Sequence, residues 1–327
     1  MKKLDFVIAW VDGSDENHRL KRQQFQPENV VKGAAEDTRF AHNDEIYFSI
    51  ASILKYVPYC GTIYIITDHQ QPSFVGEFEA QGLCRSGQIQ VVDHQEIFRN
   101  YQQYLPTFNS LSIESMLWNI KGISNHFIYL NDDFFFNQQS DLSDFLIDGQ
   151  MVIYGHWQAT LIKKMKYIFR KFLQQNFGMV AEAKYSTAQM LSADRVGMTR
   201  YYEIHHRPHI LSRDLLSTYF KNNKELLEQQ IQFKFRNIDQ LLPVGLSNHL
   251  AIQSHQAILK DDIDIAYLKD GRDLEKFILA LSNSEIKFGC IQSLDQLESL
   301  AEGRIRAALI QKFTGFLPSQ IQPTTVV

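Results

Sequence analysis

The sequence has few cysteines and no closely spaced pair of them. Cys60, Cys84 and Cys290 stand far apart among its 327 residues, and no two are arranged as Cys-x-x-Cys. Cysteine-based zinc sites need several ligands at short spacings, and a disulfide-stapled scaffold needs a dense, even set of cysteines. The sequence therefore argues against both classes and predicts a chain with reduced thiols in the cytoplasm.

Long hydrophobic runs are also missing. The first apolar run begins at Leu4, stops at Val11 and meets Asp12, and no later segment approaches the ~18 uninterrupted apolar residues of a membrane-spanning helix. A secretory signal would need a longer apolar region between its basic start and its cleavage site. We therefore expect neither a signal peptide nor a transmembrane helix, and a protein that is soluble or at most peripheral to a membrane.

No block of one charge dominates the sequence. Lysine and arginine number 33 against 37 aspartate and glutamate residues, which gives a net charge of −4. Proteins that bind nucleic acid need a concentrated basic surface for the phosphates, so we expect no nucleic-acid partner. With 44% hydrophobic and 12% aromatic residues the chain can bury a large core. A local basic pocket would still suit a small anionic ligand.

Four short apolar segments each run into carboxylates. They are 4–11 before Asp12, 62–67 before Asp68, 89–92 before Asp93, and 127–130 before Asp132 and Asp133. Segments of this length and composition predict buried strands, and helical spacing of apolar residues after Asn43 and Asn109 predicts intervening helices. Strands that alternate with helices form a mainly parallel sheet, and ligands bind beyond the carboxyl ends of its strands. The predicted fold class is α/β with a mainly parallel sheet.

The sequence pattern changes after Tyr154. A basic, aromatic helical stretch, a polar section and a second helical stretch follow, and the last residues are rich in Pro, Gln and Thr. We expect an α/β core formed by 1–156 and 236–315, a largely helical insertion at 157–235, and a flexible tail at 316–327.

Asn131-Asp132-Asp133 sets two adjacent carboxylates at the end of a predicted strand. Carboxylate oxygens suit Mg²⁺ or Mn²⁺, which bind through one or two carboxylates together with phosphate oxygens. Successive side chains of a strand point to opposite faces, so only one carboxylate is expected to face a ligand unless the strand has ended. The alternative is a turn capped by aspartate, which is the commoner meaning of an isolated motif.

The first predicted strand ends in Trp10-Val11-Asp12-Gly13. An aromatic ring there can pack against a uracil base, and Gly13 lets the backbone approach a phosphate. Alternatively, Trp10 belongs to the core and Asp12-Gly13 form an ordinary turn. The segment alone leaves both interpretations open.

Three histidines occur within His205-His206-Arg207-Pro208-His209. A loop histidine that titrates near neutrality can act as a general base, and a neighbouring arginine such as Arg207 can clamp a phosphate. Pro208 interrupts a helix, so a zinc pair at i, i+4 on one helix is not expected. The alternative is a set of surface histidines ahead of a helix that begins after Ser212.

Two basic stretches complete the set of candidates. The alternation of apolar and basic residues in 233–239 is typical of an amphipathic edge strand, although Arg236 could instead reach a diphosphate. A second stretch is predicted to be helical, with Lys163, Lys166 and Arg170 on one face. Such a face can hold an anionic polymer or membrane surface, but a merely solvated face is commoner.

In this order, the segments resemble the conserved regions of the Stealth family, bacterial capsular polysaccharide phosphotransferases related to the lysosomal-enzyme GlcNAc-1-phosphotransferase. The residues that carry the resemblance are Phe6 to Asp15, Asp37 to Phe40, Asn43 to Glu45, Ser49 to Ile53, Ile63 to Asp68, Phe108 to Ser110, Ile113-Glu114, Phe127 to Asp133 and His206 to Arg213. Arg236 stands where the family has another basic residue. Leu111 departs from a common His, and 163–200 aligns with nothing, so no arginine is carried over from that stretch.

The resemblance implies transfer of a sugar 1-phosphate from a UDP-sugar to a hydroxyl of a growing glycan, with release of UMP. It implies a GT-A-like or Rossmann-like fold for the nucleotide sugar, Mg²⁺ or Mn²⁺ as cofactor, and a capsular polysaccharide or oligosaccharide acceptor on the side of the helical insertion. It also implies a cytoplasmic protein in peripheral contact with the inner membrane or the capsule assembly machinery.

The resemblance further implies roles for individual residues. His206 would be the base that deprotonates the acceptor, Asp133 the metal ligand, and Arg236 a phosphate-binding residue. The substrate-binding residues it implies are Trp10, Val11, Asp12, Gly13, Asn43, Asp44, Asn131, Asp132 and Arg207.

Two rival functions remain open at this stage. A metal-dependent glycosyltransferase would show much the same strand pattern and acidic motif, but it would attack C1 of the sugar and release UDP. A non-catalytic glycan-binding paralogue would keep the fold, although the presence of Asp133, His206 and Arg236 argues against it.

Overall fold

The fold is defined by a computed structural model that describes residues 3–26, 44–179, 183–292 and 294–321. The strands are β1 (Leu4–Ala9), β2 (Cys60–Thr67), β3 (Ile89–Asp93), β4 (His126–Asn131), β5 (Phe134–Phe136), β6 (Leu146–Ile147), β7 (Gln150–Tyr154), β8 (His156–Ala159), β9 (Arg200–Glu203), β10 (His209–Ser212), β11 (Ala257–Lys260), β12 (Ala266–Leu268) and β13 (Phe288–Ile291). The α-helices are α1 (Glu16–Phe25), α2 (Glu45–Tyr56), α3 (Glu77–Ala80), α4 (His94–Ile97), α5 (Ser110–Glu114), α6 (Thr160–Phe177), α7 (Tyr185–Arg195), α8 (Arg213–Asn222), α9 (Lys224–Ile231), α10 (Pro243–Gln253), α11 (Leu274–Leu281) and α12 (Ser299–Lys312).

The central sheet has the strand order β10-β4-β1-β2-β3. β4, β1, β2 and β3 run parallel, and β10 pairs antiparallel with β4 at one edge. The four parallel strands are those predicted from the apolar segments, so the α/β fold class with a mainly parallel sheet is confirmed. Because these strands run in the same direction, their carboxyl ends and the polar residues that follow them lie along one edge of the sheet.

Two smaller sheets extend the core beside the central one. β5 pairs with β13, which pairs with β12, and β7 pairs with both β6 and β11. β5 follows β4 after only two residues, and its three phenylalanines are buried against α2 and β13. The turn between β4 and β5 is therefore anchored on both sides by core strands.

The predicted helical insertion at 157–235 contains helices α6 to α9, but it also contains three strands. β8 and β9 form an antiparallel pair, and β10 belongs to the central sheet. The four residues of β10 lie between Pro208 and the N-terminus of α8, too short a run for a periodic signal. The division into a core and an insertion stays a prediction, with β10 reaching from the insertion into the core sheet.

Three local predictions differ from the structure. The segment 233–239 is a loop rather than an edge strand. The helical spacing after Asn109 predicts a helix through Trp118 and Ile120, but the helix that begins at Ser110 ends at Glu114, and a separate 3₁₀ turn follows at Leu117–Asn119. The described part of the expected flexible tail is packed, with Pro318 and Ile321 buried, because Ile321 joins the hydrophobic core; 322–327 lie outside the described residues.

Candidate active site

A cleft of about 640 Å³ lies at the carboxyl ends of the parallel strands. The residues that line it from this edge are Trp10 and Val11 after β1, Asp68 after β2, and Asn131, Asp132 and Asp133 at the end of β4. The convergence follows from the parallel register, in which Ala9 of β1 pairs with both Ile66 of β2 and Asn131 of β4. The sheet therefore brings together side chains that are more than a hundred residues apart in sequence.

Asp132 and Asp133 form the two-residue turn between β4 and β5, so the strand alternation has ended and both line the cleft. Burial raises the pKa of Asp132 to about 8, with a further contribution from the charge of Asp133. Burial also raises the pKa of Asp133 to about 7, with Glu45 adding to the shift. The protein thus holds two carboxylates together in a buried turn, where the charge of Arg236 only partly offsets the effect of burial on the pKa of Asp133.

One carboxylate oxygen of Asp133 has no hydrogen-bond partner in the described part of the chain. Its Oδ2 accepts a weak bond from the thiol of Cys290 at 3.5 Å, whereas its buried Oδ1 has no hydrogen-bond partner among the described residues. The backbone N–H of Ile291 donates to the Asp133 carbonyl at 2.8 Å and fixes the turn. An orphaned carboxylate oxygen next to a second carboxylate fits a hard divalent cation.

Arg236 reaches the cleft because its loop is tied to the segment before α5. Phe108 N–H donates to the Lys234 carbonyl at 2.9 Å, and the ring of Phe108 stacks on Phe235 with centroids 5.4 Å apart. The Arg236 guanidinium then donates to Ser110 Oγ at 2.7 Å. The loop thereby carries a cation into the cleft, where its charge acts on Asp133, Glu114 and His206.

His206 lines the cleft from the turn between β9 and β10. Its ring stacks on Tyr185 with centroids 4.9 Å apart, and it lies 6.3 Å from the ring of Tyr267. The turn is fixed by buried Gln189, whose amide bonds both the N–H and the carbonyl of Ile204. Burial lowers the pKa of His206, so the neutral imidazole, which can accept a proton, is favoured.

Glu114 and His209 are titratable residues that line the cleft but were not among the predicted site residues. Burial raises the pKa of Glu114 to about 7 despite the nearby Arg236, and its Oε2 has no partner within the described chain. Burial lowers the pKa of His209 well below its ordinary value, and its Nε2 is likewise orphaned. Glu114 is a buried acid four residues after Ser110 and so lies on the same face of α5, a relation that helical periodicity could have revealed. His209 has no comparable local signal, because only the pairing of β10 with β4 brings it inward.

Four residues that were predicted to bind substrate, and that the structure describes, do not line the cleft. Asp12 caps its own turn, since its Oδ1 accepts from Ser14 N–H at 2.9 Å, and Gly13 lies in that turn. Asp44 forms an ion pair with Arg306. Asn43 lies outside the described residues, so its position is not assigned.

Arg207 is the fourth of these residues, and it faces away from the cleft. It is buried, with its guanidinium 4.5 Å from the ring centroid of Tyr154 and a hydrogen bond of 3.2 Å to the Tyr154 carbonyl. His206 lines the cleft, whereas its neighbour Arg207 packs on Tyr154 and is not among the described residues that line the cleft. The expectation that Arg207 clamps a phosphate has no support from its position.

Residues 39–153 match the family model described as Stealth protein CR2, conserved region 2. The chain belongs to the Stealth family. The matched region includes Glu114 and the strand end at Asn131 to Asp133, but not His206 or Arg236. The sequence resemblance to this family is thereby confirmed.

Three curated relatives show how far the similarity extends. The capsular polysaccharide phosphotransferase cps1A of Actinobacillus pleuropneumoniae is 39% identical over 145 residues, which is 43% of this chain and 38% of that protein. The capsular polysaccharide phosphotransferase LcbA of Neisseria meningitidis is 41% identical over 137 residues, 41% of this chain and 35% of that protein. The exopolysaccharide phosphotransferase SCO2592 of Streptomyces coelicolor is 30% identical over 271 residues, 82% of this chain and 27% of that protein. The chain therefore spans only about a quarter to two fifths of the length of these relatives.

Among solved structures, the apo structure of the bifunctional glycosyltransferase WbbM is similar with a TM-score of 0.46 and 9% identity. The similarity covers 96% of this chain and 50% of that one. At this TM-score the likeness assigns no function.

Proposed function

We propose that Stealth-family membership and the cleft together define a sugar-1-phosphate transferase. The donor would be a UDP-sugar, the acceptor a hydroxyl of a growing capsular polysaccharide or oligosaccharide, and the products a phosphodiester and UMP. The observation that carries this proposal is the convergence of Asp133, His206 and Arg236 on one cleft at the carboxyl edge of a parallel sheet. The phosphotransferase names of the relatives support the same reaction class.

The proposed reaction requires a positioned donor and side chains that offset the charge of its phosphates. Attack by the acceptor oxygen on the β-phosphorus, in line with the departing UMP oxygen, depends mostly on positioning and on neutralisation of phosphoryl charge. Trp10 and Val11 would contact the nucleotide, Asn131 and Asp132 would lie near the diphosphate, and Arg236 would bind its oxygens. Because the bond broken is between phosphorus and oxygen, the configuration at the sugar C1 would be retained.

His206 would accept the proton of the attacking hydroxyl. Its ring borders the cleft, and stacking on Tyr185 holds the plane of the imidazole. A positioned base contributes typically 10²–10⁴-fold to the rate.

Mg²⁺ or Mn²⁺ is the cofactor that we propose. Asp133, with its orphaned Oδ1, would hold the ion, and Asp132 offers a second carboxylate in the same turn. When bound, such an ion neutralises negative charge on the phosphoryl oxygens.

The nature of the nucleotide product tests the reaction directly. The protein is incubated with a panel of UDP-sugars, Mg²⁺ and capsule-type oligosaccharides, with and without EDTA, and the nucleotides are separated by chromatography. We expect UMP, formed only with both metal and acceptor. UDP in its place would identify the rival glycosyltransferase, and no nucleotide product with any donor would favour the non-catalytic paralogue.

Variants at the cleft test the assignment of residues separately from the reaction. Asp133→Ala and His206→Ala should each abolish most UMP formation, whereas Asp264→Asn and His255→Asn, at exposed positions away from the cleft, should not. Wild-type rates in both cleft variants would remove our site assignment even if the protein proved active.

We also propose that α6 makes peripheral contact with an anionic membrane, at the cytoplasmic face of the inner membrane. Its large apolar residues are at least half exposed and recur at helical spacing; they are Leu161, Ile162, Met165, Ile168, Phe169 and Phe172. Lys166 and Arg170 flank this apolar face, and neither has a carboxylate partner in the described parts of the chain. An exposed apolar stripe beside cationic side chains is typical of helices that lie in the bilayer interface.

The other side of α6 is fixed to the protein, which leaves the apolar face outward. Lys164 pairs with Asp194 at 2.5 Å, and Lys171 pairs with Asp239 at 3.0 Å. Lys163 pairs with Glu203 at 3.4 Å, so it does not act with Lys166 and Arg170 as a free cation. None of the described helices has the length and apolarity that crossing a membrane requires.

Sedimentation with vesicles tests this contact. The wild-type protein should bind phosphatidylglycerol-rich vesicles at low salt and pure phosphatidylcholine vesicles much less. The double variant Ile168→Ser, Phe172→Ser should lose binding, while Leu279→Ser, at an exposed leucine on α11, should retain it. Wild-type protein that ignores the anionic vesicles, or that forms dimers through this face, would contradict the membrane proposal.

A further inference from the structure

A second group of ligand-type side chains lies outside the cleft. His156 at the start of β8, His205 after β9 and Asp262 after β11 each offer one atom to a cluster whose atoms all lie within 4.8 Å of one another. Nδ1 of His156 is 2.5 Å from Oδ2 of Asp262, and Nε2 of His205 is 3.4 Å from Oδ1 of Asp262. Each of the three is partly exposed, so an ion from solution can reach the cluster.

The three residues are carried by strand ends that are bonded to each other. The Lys260 carbonyl at the end of β11 accepts from Gly155 N–H at 2.9 Å and from the Tyr202 hydroxyl at 2.7 Å. His156 is the cross-strand partner of Glu203 in the β8–β9 pair. A Cβ at Gly155 would lie 2.1 Å from the Glu203 carbonyl oxygen, so only glycine permits this close approach. The cluster is therefore built on fixed backbone rather than on independent loops.

We propose that His156, His205 and Asp262 bind a transition-metal dication of the zinc class. Two imidazole nitrogens and one carboxylate oxygen match the three-ligand sets in which Zn²⁺ keeps a fourth position for water. Imidazole suits Zn²⁺ and its neighbours, whereas Mg²⁺ and Mn²⁺ prefer oxygen ligands, so this site and Asp133 would select different ions.

The surroundings of the cluster support this choice of ion. A metal-bound histidine almost always donates its second ring N–H to a carboxylate, carbonyl or water. Oε2 of Glu203 lies 3.8 Å from Nε2 of His156 and is of the acceptor type that this N–H needs, whereas the side-chain NH₂ of Gln158, 2.9 Å from the same nitrogen, can only donate to the unprotonated ring nitrogen. Glu203 is therefore the residue that would orient His156 toward a metal, and Gln158 would give up its bond to Nε2 when the metal binds.

The position of His205 links the proposed metal site to the cleft. His205 is the residue before His206, and the two side chains leave the β9–β10 turn in different directions, His206 into the cleft and His205 into the cluster. An ion at the cluster would tie this turn to the ends of β8 and β11. It would thereby act as a structural support for the histidine that lines the cleft, without touching the substrate.

Metal binding to the untagged full chain tests the proposal without any assay of activity. The protein is stripped with a chelator and titrated with Zn²⁺ against a chromophoric competitor, and Co²⁺ is added separately to record its visible spectrum. We expect one Zn²⁺ per chain, no displacement by excess Mg²⁺, and the absorption of a tetrahedral Co²⁺ site. Loss of an outer-sphere partner alone costs about 10–100-fold in affinity, so His205→Ala and Asp262→Asn should weaken binding by about 100-fold or more.

Two matched variants serve as controls. Asp264→Asn lies on the same loop as Asp262, and His255→Asn lies just before β11, where asparagine tolerates the positive φ of 58°. Both should bind Zn²⁺ like the wild type, and circular dichroism should confirm that every variant is folded. Absence of Zn²⁺ binding in the wild type, wild-type affinity in both cluster variants, or an octahedral Co²⁺ spectrum would each overturn the proposal. The cluster would then be a pair of histidines that share one carboxylate.

Discussion

The ends of β1 and β4 look alike in sequence but differ in what the protein does with their carboxylates. The two strands are parallel neighbours, and each is followed by aspartate within three residues. Oδ1 of Asp12 accepts from both the N–H and the hydroxyl of Ser14, at 2.9 and 2.6 Å. Oδ1 of Asp133 is buried without a partner in the described chain. A carboxylate at the end of a strand is thus a candidate metal ligand only when neighbouring residues do not already donate hydrogen bonds to its oxygens.

The difference arises from the residues that follow each aspartate. After Asp12, Gly13 permits a tight turn and Ser14 supplies two donors, and the side chain of Gln70 also bonds the Asp12 backbone N–H and carbonyl. After Asp133, the chain enters β5 at once with buried Phe134, which offers no polar side chain. A neighbouring hydroxyl therefore favours a capped turn, and a neighbouring core strand leaves the carboxylate free to face the cleft.

The largest expected effect separates these two aspartates. Asp133→Asn should lower kcat/KM for UMP formation by about 10³-fold or more, because metal-based stabilisation of transition-state charge is worth several kcal/mol and each 1.36 kcal/mol is tenfold. Asp12→Asn should stay within about tenfold of the wild type, because the amide oxygen can still accept from Ser14. Steady-state kinetics with saturating Mg²⁺ measures both.

The reverse ranking would break the comparison. Asp12→Asn could lose as much activity as Asp133→Asn while its melting temperature stays unchanged. The turn after β1 would then contact the substrate in a conformation different from the one described above. A loss in Asp12→Asn that followed its melting temperature would instead agree with a turn-capping role.

Two arginines extend the same contrast to cations. Arg236→Met should lower kcat/KM by about 10²–10³-fold, the usual cost of one lost contact to a charge that develops in the transition state. Arg207→Met should change kcat/KM little per folded molecule but should lower the free energy of unfolding by about 1–3 kcal/mol, because the buried Tyr154 carbonyl loses its donor. Kinetics combined with urea denaturation separates the two effects. A large loss of kcat/KM in fully folded Arg207→Met would contradict our view that this residue supports the turn.

The contrast also explains which parts of the molecule the sequence reveals. The parallel strands and the acidic end of β4 were predictable because short apolar runs and strand-end carboxylates are local signals. The sequence did not reveal that His206 enters the cleft while Arg207 packs on Tyr154. These positions depend on how Tyr154 and Tyr185 pack around one turn. Glu114 and Arg236 belong to one site only through contacts between segments more than a hundred residues apart. The local spacing of apolar residues does not report such contacts.

The smallest expected effect concerns a histidine whose two ring nitrogens are both hydrogen-bonded within the protein. His249 is fully buried, its Nε2 accepts from Tyr202 N–H at 2.9 Å, and its Nδ1 bonds the Gly245 carbonyl at 2.6 Å. Burial lowers its pKa to about 4, from an ordinary value of 6.5. The neutral form therefore stabilises the fold, fully above pH 6.5 and progressively less as the pH falls toward 4.

From this shift we expect His249 to remove about 2 kcal/mol from the free energy of unfolding between pH 7 and pH 5, roughly a 30-fold change in the folding equilibrium. Urea denaturation at both pH values should show a flatter pH dependence in His249→Gln than in the wild type, whereas exposed His255→Asn should match the wild type. Buried His94, whose pKa is also lowered to about 4, is present in all three proteins and cancels in the comparison. Parallel pH profiles for wild type and His249→Gln would mean that the protonated ring finds an acceptor in the folded state. The distinction between satisfied and unsatisfied side chains, on which the assignment of Asp133 rests, would then be weaker than the hydrogen-bond geometry indicates.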